Sequence, residues 1–452
     1  MSSGPLNVDA GAGAPIPWVN WASNQRALPV EVAHPRSAGE VAEVVGEAAG
    51  RGQRVKVTGS GHSFTGIGRP EGVRVVLDHM AGLVSADIPS GLVTVQAGMS
   101  LARLNRLLAE MGLAMSNLGD VDAQTLAGAI ATGTHGTGER HGGLATQVRA
   151  LELVLADGSV ISCSAEESPE LFSAARVGLG ALGIVTAVTL QTEPLFPMRA
   201  VEGPMSLDEL LGRFDELARG VDHFEAYWFP HTRTCLTKAN SRLAPGTPLD
   251  RLTRWREWAE DELLSNTVFG LAQRVGRISP RAIPSLSRIS ARALGPRSFT
   301  DLSHRVFTSP RRVRFKEMEY ALPREATVPV LGELVDSLSR SELRISFPIE
   351  IRVAPADDIL LSTASGRDSA YVAVHVDHAS PHQPYFSLVE SIMTAVGGRP
   401  HWGKLHTLRA GDLRPRYPAF DRFVALRDRL DPEGRFTNTY LDRVLGPPPG
   451  SG

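Results

Sequence analysis

His62 stands in the stretch Val57-Thr-Gly-Ser-Gly-His-Ser-Phe64, where Gly59 and Gly61 let the backbone approach a ligand and an imidazole projects from the same turn. Successive amides in such a loop, with Ser60 and Ser63 beside them, can form a nest for a diphosphate. The spelling G-x-G-x-x-F lacks the third glycine of a Rossmann fingerprint, and no helix pattern opens directly behind it. A second stretch, "NLGDVDAQTLAGAIATGTHGTG" at 117–138, brings Gly119, Gly128, Gly133, Gly136 and Gly138. Two glycine-rich nests far apart in sequence suit one extended diphosphate ligand better than two separate phosphates.

Glu350 and Arg352 lie two apart on a strand pattern, so both side chains leave one face. They can orient a polar substrate or form a structural salt bridge, and spacing leaves both open. "GRPHWGK" at 398–404 imitates a Walker loop, yet Leu405 follows where a magnesium-binding Ser or Thr is required, and Pro400 and Trp402 are bulky. Nucleoside triphosphate hydrolysis is therefore excluded. "HVDHASPH" places His375, Asp377, His378 and His382 close in sequence. Strand alternation sends His375 and His378 to opposite faces, so surface histidines at a strand end are expected there, with no metal.

These residues need elements to position them. "SAGEVAEVVGEAAGRG" has capping-box spacing at Ser37 and Glu40 and an apolar face of Val41, Val44, Val45 and Ala48, which predicts a helix. Alternating Val55 and Val57 predict a strand that delivers the His62 loop, and "VRVVLD" at 73–78 a further strand. Leu101, Leu104, Leu107, Leu108 and Met111 have helical spacing. Asp157-Gly158 marks a hairpin, and the strand in 183–194 stops at Pro194. "IEIRVAPADD" and "SAYVAVHVDH" read as strands of a second sheet, and 417–446 as an amphipathic helix with a docked tail.

A chain of 452 residues, 42% hydrophobic, can bury a large core in two or three domains. Its 47 basic and 49 acidic residues leave a net charge of -2, so no global field draws nucleic acid. Residues 274–316 are the local exception, with eleven Lys or Arg against Asp301 alone; a solvated surface is preferred there over membrane-surface contact. Two cysteines, Cys163 and Cys235, make no disulfide framework, and no run suits a signal peptide or membrane span. A cytoplasmic location is expected.

"GSGHSF", the 117–138 stretch, "EIR", "HWGK" and the tail "LDPEGRFTNTYL" occur in this order from about residue 20 to 446. Together they resemble the sugar-1,4-lactone oxidases, the aldonolactone and alditol oxidase branch of the vanillyl-alcohol-oxidase-like flavoproteins. The resemblance implies an α+β fold: a two-subdomain FAD-binding domain at 20–195 and a cap domain at 196–400 built on an antiparallel sheet flanked by helices. Residues 401–446 would return to the flavin side, with flexible ends at 1–19 and 447–452. It also implies that His62 is bonded to the flavin 8α-methyl group. Gly59, Ser60, Gly61, Ser63, Gly119, Gly128, Gly133, Thr134, Gly136, Gly138, Ile184 and His401 would contact FAD. Lys404 would lie near flavin N1, and Glu350 and Arg352 would position and activate the substrate. Asp120 falls where alditol oxidases carry a substrate-binding serine, which favours a lactone, and the small Gly119 favours access of oxygen.

The activity so implied is hydride transfer to flavin N5 from a secondary alcohol of a polyhydroxy lactone, at C2, with electrons passing to O2 or another acceptor. An alditol oxidase acting on a polyol is the alternative within the class. A non-catalytic flavin-binding interaction module is the alternative outside it; Glu350, Arg352 and Lys404 oppose that reading.

Overall fold

The computed structural model describes residues 16–252, 278–309 and 313–450. The outer parts of the expected flexible ends lie outside the described residues, as do Arg274, Arg277, Arg311 and Arg312 of the basic stretch.

Strands β1 (Glu31–Ala33), β2 (Val55–Val57) and β3 (Val73–Val75) form a parallel sheet in the order β1-β3-β2. Helix α1 (Ala38–Gly50) connects β1 to β2. Ser37 Oγ accepts from Glu40 N at 3.2 Å, a cap worth about 1 kcal/mol. The Glu40 carboxylate takes the Arg36 amide rather than that of Ser37, so the expected capping box closes one residue early. Val41, Val45 and Ala48 are buried, as the periodicity predicts. β2 ends where the His62 loop begins.

A five-stranded antiparallel sheet follows, built from β4 (Leu83–Asp87), β5 (Leu92–Gln96), β6 (Val148–Val154), β7 (Val160–Ser164) and β8 (Ile184–Gln191) in the order β7-β6-β8-β5-β4. Gly158, at φ +84°, makes the β6–β7 turn, and Asp157 Oδ1 accepts from Ser159 N. Helices α2 (Leu101–Glu110) and α3 (Leu126–Ala131) sit between β5 and β6, α2 burying Leu101, Leu104 and Leu108. The short α4 (Pro169–Ala175) precedes β8.

The largest sheet has eight antiparallel strands: β9 (Pro197–Ser206), β10 (His223–Trp228), β11 (Thr234–Arg242), β12 (Arg297–Leu302), β13 (Phe315–Pro323), β14 (Ile349–Ala354), β15 (Ser369–Asp377) and β16 (Arg399–Pro400). Their order is β12-β9-β11-β10-β14-β15-β13-β16. Period-2 alternation divides its two faces. Phe224, Trp228, Ile349, Ile351, Val372 and Met318 point to one side, where they form a core with α5 (Leu207–Arg219), α7 (Thr327–Arg340) and α8 (Gln383–Ala395). Each large aliphatic side chain buried there contributes about 1.5–3 kcal/mol. Glu225, Tyr227, Glu350, Arg352, Glu317 and Glu319 alternate with them and so share the opposite face. Helix α6 (Ile283–Ala293) buries Ile283 and Ala291 and exposes Arg288 and Arg292, with Arg281 exposed just before it.

After β16 the chain returns to the first two sheets. Trp402 is fully buried and donates from Nε1 to Leu361 O at 2.7 Å. Helices α9 (Phe420–Leu430) and α10 (Thr439–Leu445) add Phe420, Phe423, Leu441 and Val444 to the core of the N-terminal sheets. Asn438 caps α10 by accepting from Leu441 N, while its amide donates to Gly66 O and Arg69 O just beyond the His62 loop.

Candidate active site

A cleft of about 300 Å³ runs between the two N-terminal sheets, lined by Val57 through Ser63, Leu77, Gly98, Gly128, Gly180, Ile184 and Phe436. None of the amides of Gly59, Ser60, Gly61, His62 and Ser63 donates to a protein acceptor among the described residues. Such a run of unused donors beside apolar walls fits a diphosphate joined to flat ring systems. Gly61, at φ +72°, makes the turn, and neighbours hold it: Trp21 N donates to Gly61 O at 2.8 Å and Asn20 Nδ2 to Ser63 O at 2.9 Å. His62 stacks on Trp21 with ring centroids 5.4 Å apart. Burial first, and then Lys404, push its pKa down to about 4, which leaves a neutral imidazole with a free nitrogen lone pair.

The same loop abuts the polar face of the eight-stranded sheet. Phe64 N donates to Gly403 O at 2.7 Å, and Lys404 Nζ lies 5.3 Å from the Phe64 ring centroid. The Lys404 ammonium is hydrogen-bonded to Glu317 Oε2 and stands 3.9 Å from Glu319 Oε2. Burial works against this charge, but Glu317 and Glu319 outweigh it and raise the Lys404 pKa. Glu317 is in turn held down to about 2: burial opposes its ionisation, and Lys404 and His375 prevail.

On β14, Arg352 Nη2 pairs with Glu350 Oε1, and Arg352 Nε donates to Glu225 Oε2 at 3.0 Å. Tyr227 donates its hydroxyl proton to Glu350 Oε1 at 3.0 Å, and Asp120 approaches Arg352 Nη2 at 3.6 Å. Burial raises the Glu350 pKa; Arg352 counters it, while Asp120 and Glu225 add to the rise. Glu350 is thus a carboxylate disposed to take up a proton, next to a guanidinium that burial cannot discharge because Glu350, Glu225 and Asp120 surround it.

The structure brings Gly59, Ser60, Gly61, His62, Ser63, Gly128 and Ile184 into the cleft, and Glu350, Arg352, Asp120 and Lys404 onto the face beside it. The second glycine-rich stretch divides its amides: Gln124, Thr125, Gly128 and Thr132 line the cleft, and Gly119 N and Gly136 N meet no protein acceptor among the described residues. Gly133 N, Thr134 N and Gly138 N are committed to Ile130 O, Ala129 O and Val353 O, so this segment serves as a joint between the N-terminal part and the large sheet. Gly133 and Thr134 line a separate small pocket with His135 and Tyr371. Gly136 and Gly138 have no room for a Cβ against Leu118 O and Asp222 O, and Gly119 faces His135 O at 3.1 Å from its own Cβ position. His401 is buried, its Nδ1 accepts from Gly403 N, and burial lowers its pKa to about 4.

His375 corrects the expectation of surface histidines. It points into the site 3.6 Å from Glu317, stacked on Phe347, whereas His378 is half-buried just beyond the strand, beside Asp377. Glu317, Glu319, Tyr227 and Glu225 were also missed, although "FKEMEYALP" carries the same i, i+2 spacing that singles out Glu350 and Arg352. Buried His135 donates from Nε2 toward Glu319 at 2.9 Å.

The family model described as D-arabinono-1,4-lactone oxidase matches residues 188–444, and that described as FAD binding domain matches 29–164. The chain is 42% identical to an L-gulono-1,4-lactone dehydrogenase of Mycobacterium tuberculosis, over 95% of this chain and 99% of that protein. It is 35% identical to the L-gulonolactone oxidase of Bos taurus, over 95% and 98%. Among solved structures it is similar to cholesterol oxidase from B. sterolicum, with a TM-score of 0.80, 17% identity and coverage of 99% of this chain and 100% of that one. That likeness is one of fold. Among the described residues no helix is long and apolar enough to cross a membrane. The unused amides of the His62 loop and a lactone-oxidase match running from the end of β8 to α10 therefore have one explanation: the chain belongs to the D-arabinono-1,4-lactone oxidase family, FAD-dependent oxidoreductases of the sugar-lactone branch of the vanillyl-alcohol-oxidase-like flavoproteins.

Proposed function

We propose that this chain oxidises a secondary alcohol of a sugar-1,4-lactone, at C2, with the lactone lying on the polar face of the eight-stranded sheet. The observation that carries the proposal is the convergence of Arg352, Glu350 and Lys404 on that face, next to the five unused amides of the His62 loop. FAD, bound in the cleft, would supply the hydride acceptor and the route for electrons to O2 or another acceptor. Gly59 to Ser63 would offer their amides to its diphosphate, and His62 would be the residue bonded to its 8α-methyl carbon.

Arg352 orients the hydroxyls of the lactone, and Glu350 Oε takes up the hydroxyl proton, for which its raised pKa suits it. Lys404 Nζ stabilises negative charge as it develops, and Glu317 keeps that ammonium protonated and in place. His375 adds a polar wall beside Glu317. Asp120, 3.6 Å from Arg352, supports a lactone over a linear polyol, since it adds a third carboxylate beside Arg352 where the alditol branch has a neutral hydroxyl.

Cys163 and Cys235 are buried and unpaired, which supports a cytoplasmic setting. In the basic stretch, Arg297 is spent on Glu202 and Arg305 lies 3.8 Å from Asp301, which supports a solvated surface over a membrane-docking one.

Anaerobic mixing with L-gulono-, L-galactono- or D-arabinono-1,4-lactone, or with xylitol, tests the reading. Bleaching of the yellow flavin band by a lactone is the expected result, and its rate of return in air separates an oxidase from a dehydrogenase. Bleaching by xylitol alone would overturn the substrate class.

A further inference from the structure

Around Lys404, the face beneath the proposed substrate carries two carboxylates, Glu317 and Glu319, for one ammonium, while Glu350, Glu225 and Asp120 gather on Arg352 elsewhere on it. An uncompensated negative charge there would oppose electron uptake by any group lying above. Glu319 has a second partner from the far end of the sequence. His135 Nε2 meets Glu319 Oε1 at 2.9 Å, while His135 Nδ1 meets Gly136 O at 2.8 Å. A neutral imidazole has one N–H, so a ring facing a carboxylate on one nitrogen and a carbonyl on the other satisfies both only as an imidazolium. No other donor reaches Gly136 O among the described residues. The Tyr371 ring lies flat against His135, with centroids 3.6 Å apart, and an aromatic face favours a cation.

Neighbouring histidines do not duplicate this arrangement. His401, 5.9 Å away between ring centroids, accepts from Gly403 N and so needs no second proton. His375 meets Glu317 alone, which a neutral ring can satisfy. The ligand atoms of His135, Glu319 and His401 lie close enough to hold a metal ion, but Lys404 Nζ, 3.9 Å from Glu319, already supplies a cation to that carboxylate. Glu319 stays ionised well below the usual carboxylate range: burial opposes this, and His135 and Lys404 outweigh it.

We infer that His135 is held as an imidazolium that neutralises Glu319, so that the cluster of Glu317, Glu319, Lys404 and His135 beside the flavin carries no net negative charge. This role rests on the placement of FAD proposed above. His135 is a positioning residue: it acts on the site through Glu319 and Lys404 rather than by touching the substrate.

Sulfite provides the test, because it bleaches oxidised flavin by adding to it and leaves negative charge on the ring, so its affinity reads the local field. The purified, FAD-loaded wild type and variants are titrated with sulfite at the visible flavin band. His135→Gln, which can still hydrogen-bond, should bind sulfite about tenfold more weakly or worse. The double variant His135→Gln/Glu319→Gln removes one charge of each sign and should return to the wild-type affinity. An unchanged affinity in the single variant, or a double variant as weak as the single, overturns the inference, since loss of mere packing would not be rescued by removing Glu319. If His135→Gln does not retain FAD, Glu319→Gln alone decides: affinity at least equal to wild type is expected, and a marked weakening overturns the inference. Lys404→Met separates this from the reading beneath it. An undiminished sulfite affinity in that variant would overturn the placement of the flavin near Lys404 instead.

Discussion

Lys404 shows how a partly buried cation is kept useful. Its ammonium is held between Glu317 and Glu319 and against the Phe64 ring, so it is charged, aimed and unable to wander. Lys404→Met should leave FAD bound and slow anaerobic flavin reduction by about 10²-fold or more, the usual cost of losing one preorganised electrostatic contact. Reduction at the wild-type rate would take Lys404 out of the chemistry. His62 calls for a different readout. His62→Ala should release its flavin into the supernatant on acid precipitation, whereas wild-type flavin should stay with the pellet; yellow colour in the variant's pellet would show another anchor. Both residues were legible in the sequence because each sits in a distinctive motif. Glu317 and Glu319 were not, since a carboxylate in a strand is ordinarily a solvated side chain and only the register of β13 against β15 shows that this face is covered.

At the scale of elements, period-2 alternation made the second sheet readable and placed Glu350 and Arg352 on one face, where they pair. The helix with the Ser37 cap and the Asp157-Gly158 hairpin were legible for the same reason: their signals are local and their chemistry needs no distant partner. The two glycine-rich stretches look alike as text but are used differently. The first leaves the amides of Gly59 to Ser63 unused, whereas the second spends those of Gly133, Thr134 and Gly138 on its own turn and on Val353. Sequence gives the backbone freedom of a glycine without saying whether a ligand or another strand exploits it. A substitution pair separates the two uses. A Cβ at Gly136 would overlap a backbone carbonyl, Leu118 O, and the Asn117 side chain, whereas at Gly59 the nearest atom is the Thr125 hydroxyl, which can rotate away. Gly136→Ala should therefore lower stability by a few kcal/mol, read as a fall in Tm, and Gly59→Ala by clearly less. Equal losses would mean that the first loop is as tightly packed as the second.

At the scale of the whole molecule, the contacts that assemble the site join residues remote in sequence. His135 and Glu319 are 184 positions apart, and Lys56 and Phe436 are 380 apart. No periodicity encodes such pairs, which is why the tail could be read as docked but its anchor could not be named. That anchor is Lys56 on β2, which donates to Phe436 O at 2.9 Å and Gly180 O at 3.2 Å along the wall of the FAD cleft. Burial, only partly offset by Asp431, pushes its pKa down to about 7 from the ordinary 10.5. Between those two values the unfolded chain binds a proton that the folded chain does not, so Lys56 makes stability rise with pH through this window. Below about pH 7 the folded protein bears the full cost of a charged, buried ammonium. The wild-type Tm should therefore gain on that of Lys56→Met as pH is raised from neutrality toward the ordinary lysine range, by an amount corresponding to a few kcal/mol at full extent. Curves that run parallel would mean that Lys56 keeps an ordinary pKa in the fold, and that its two carbonyl partners and nearby Asp431 hold the ammonium as well as water does.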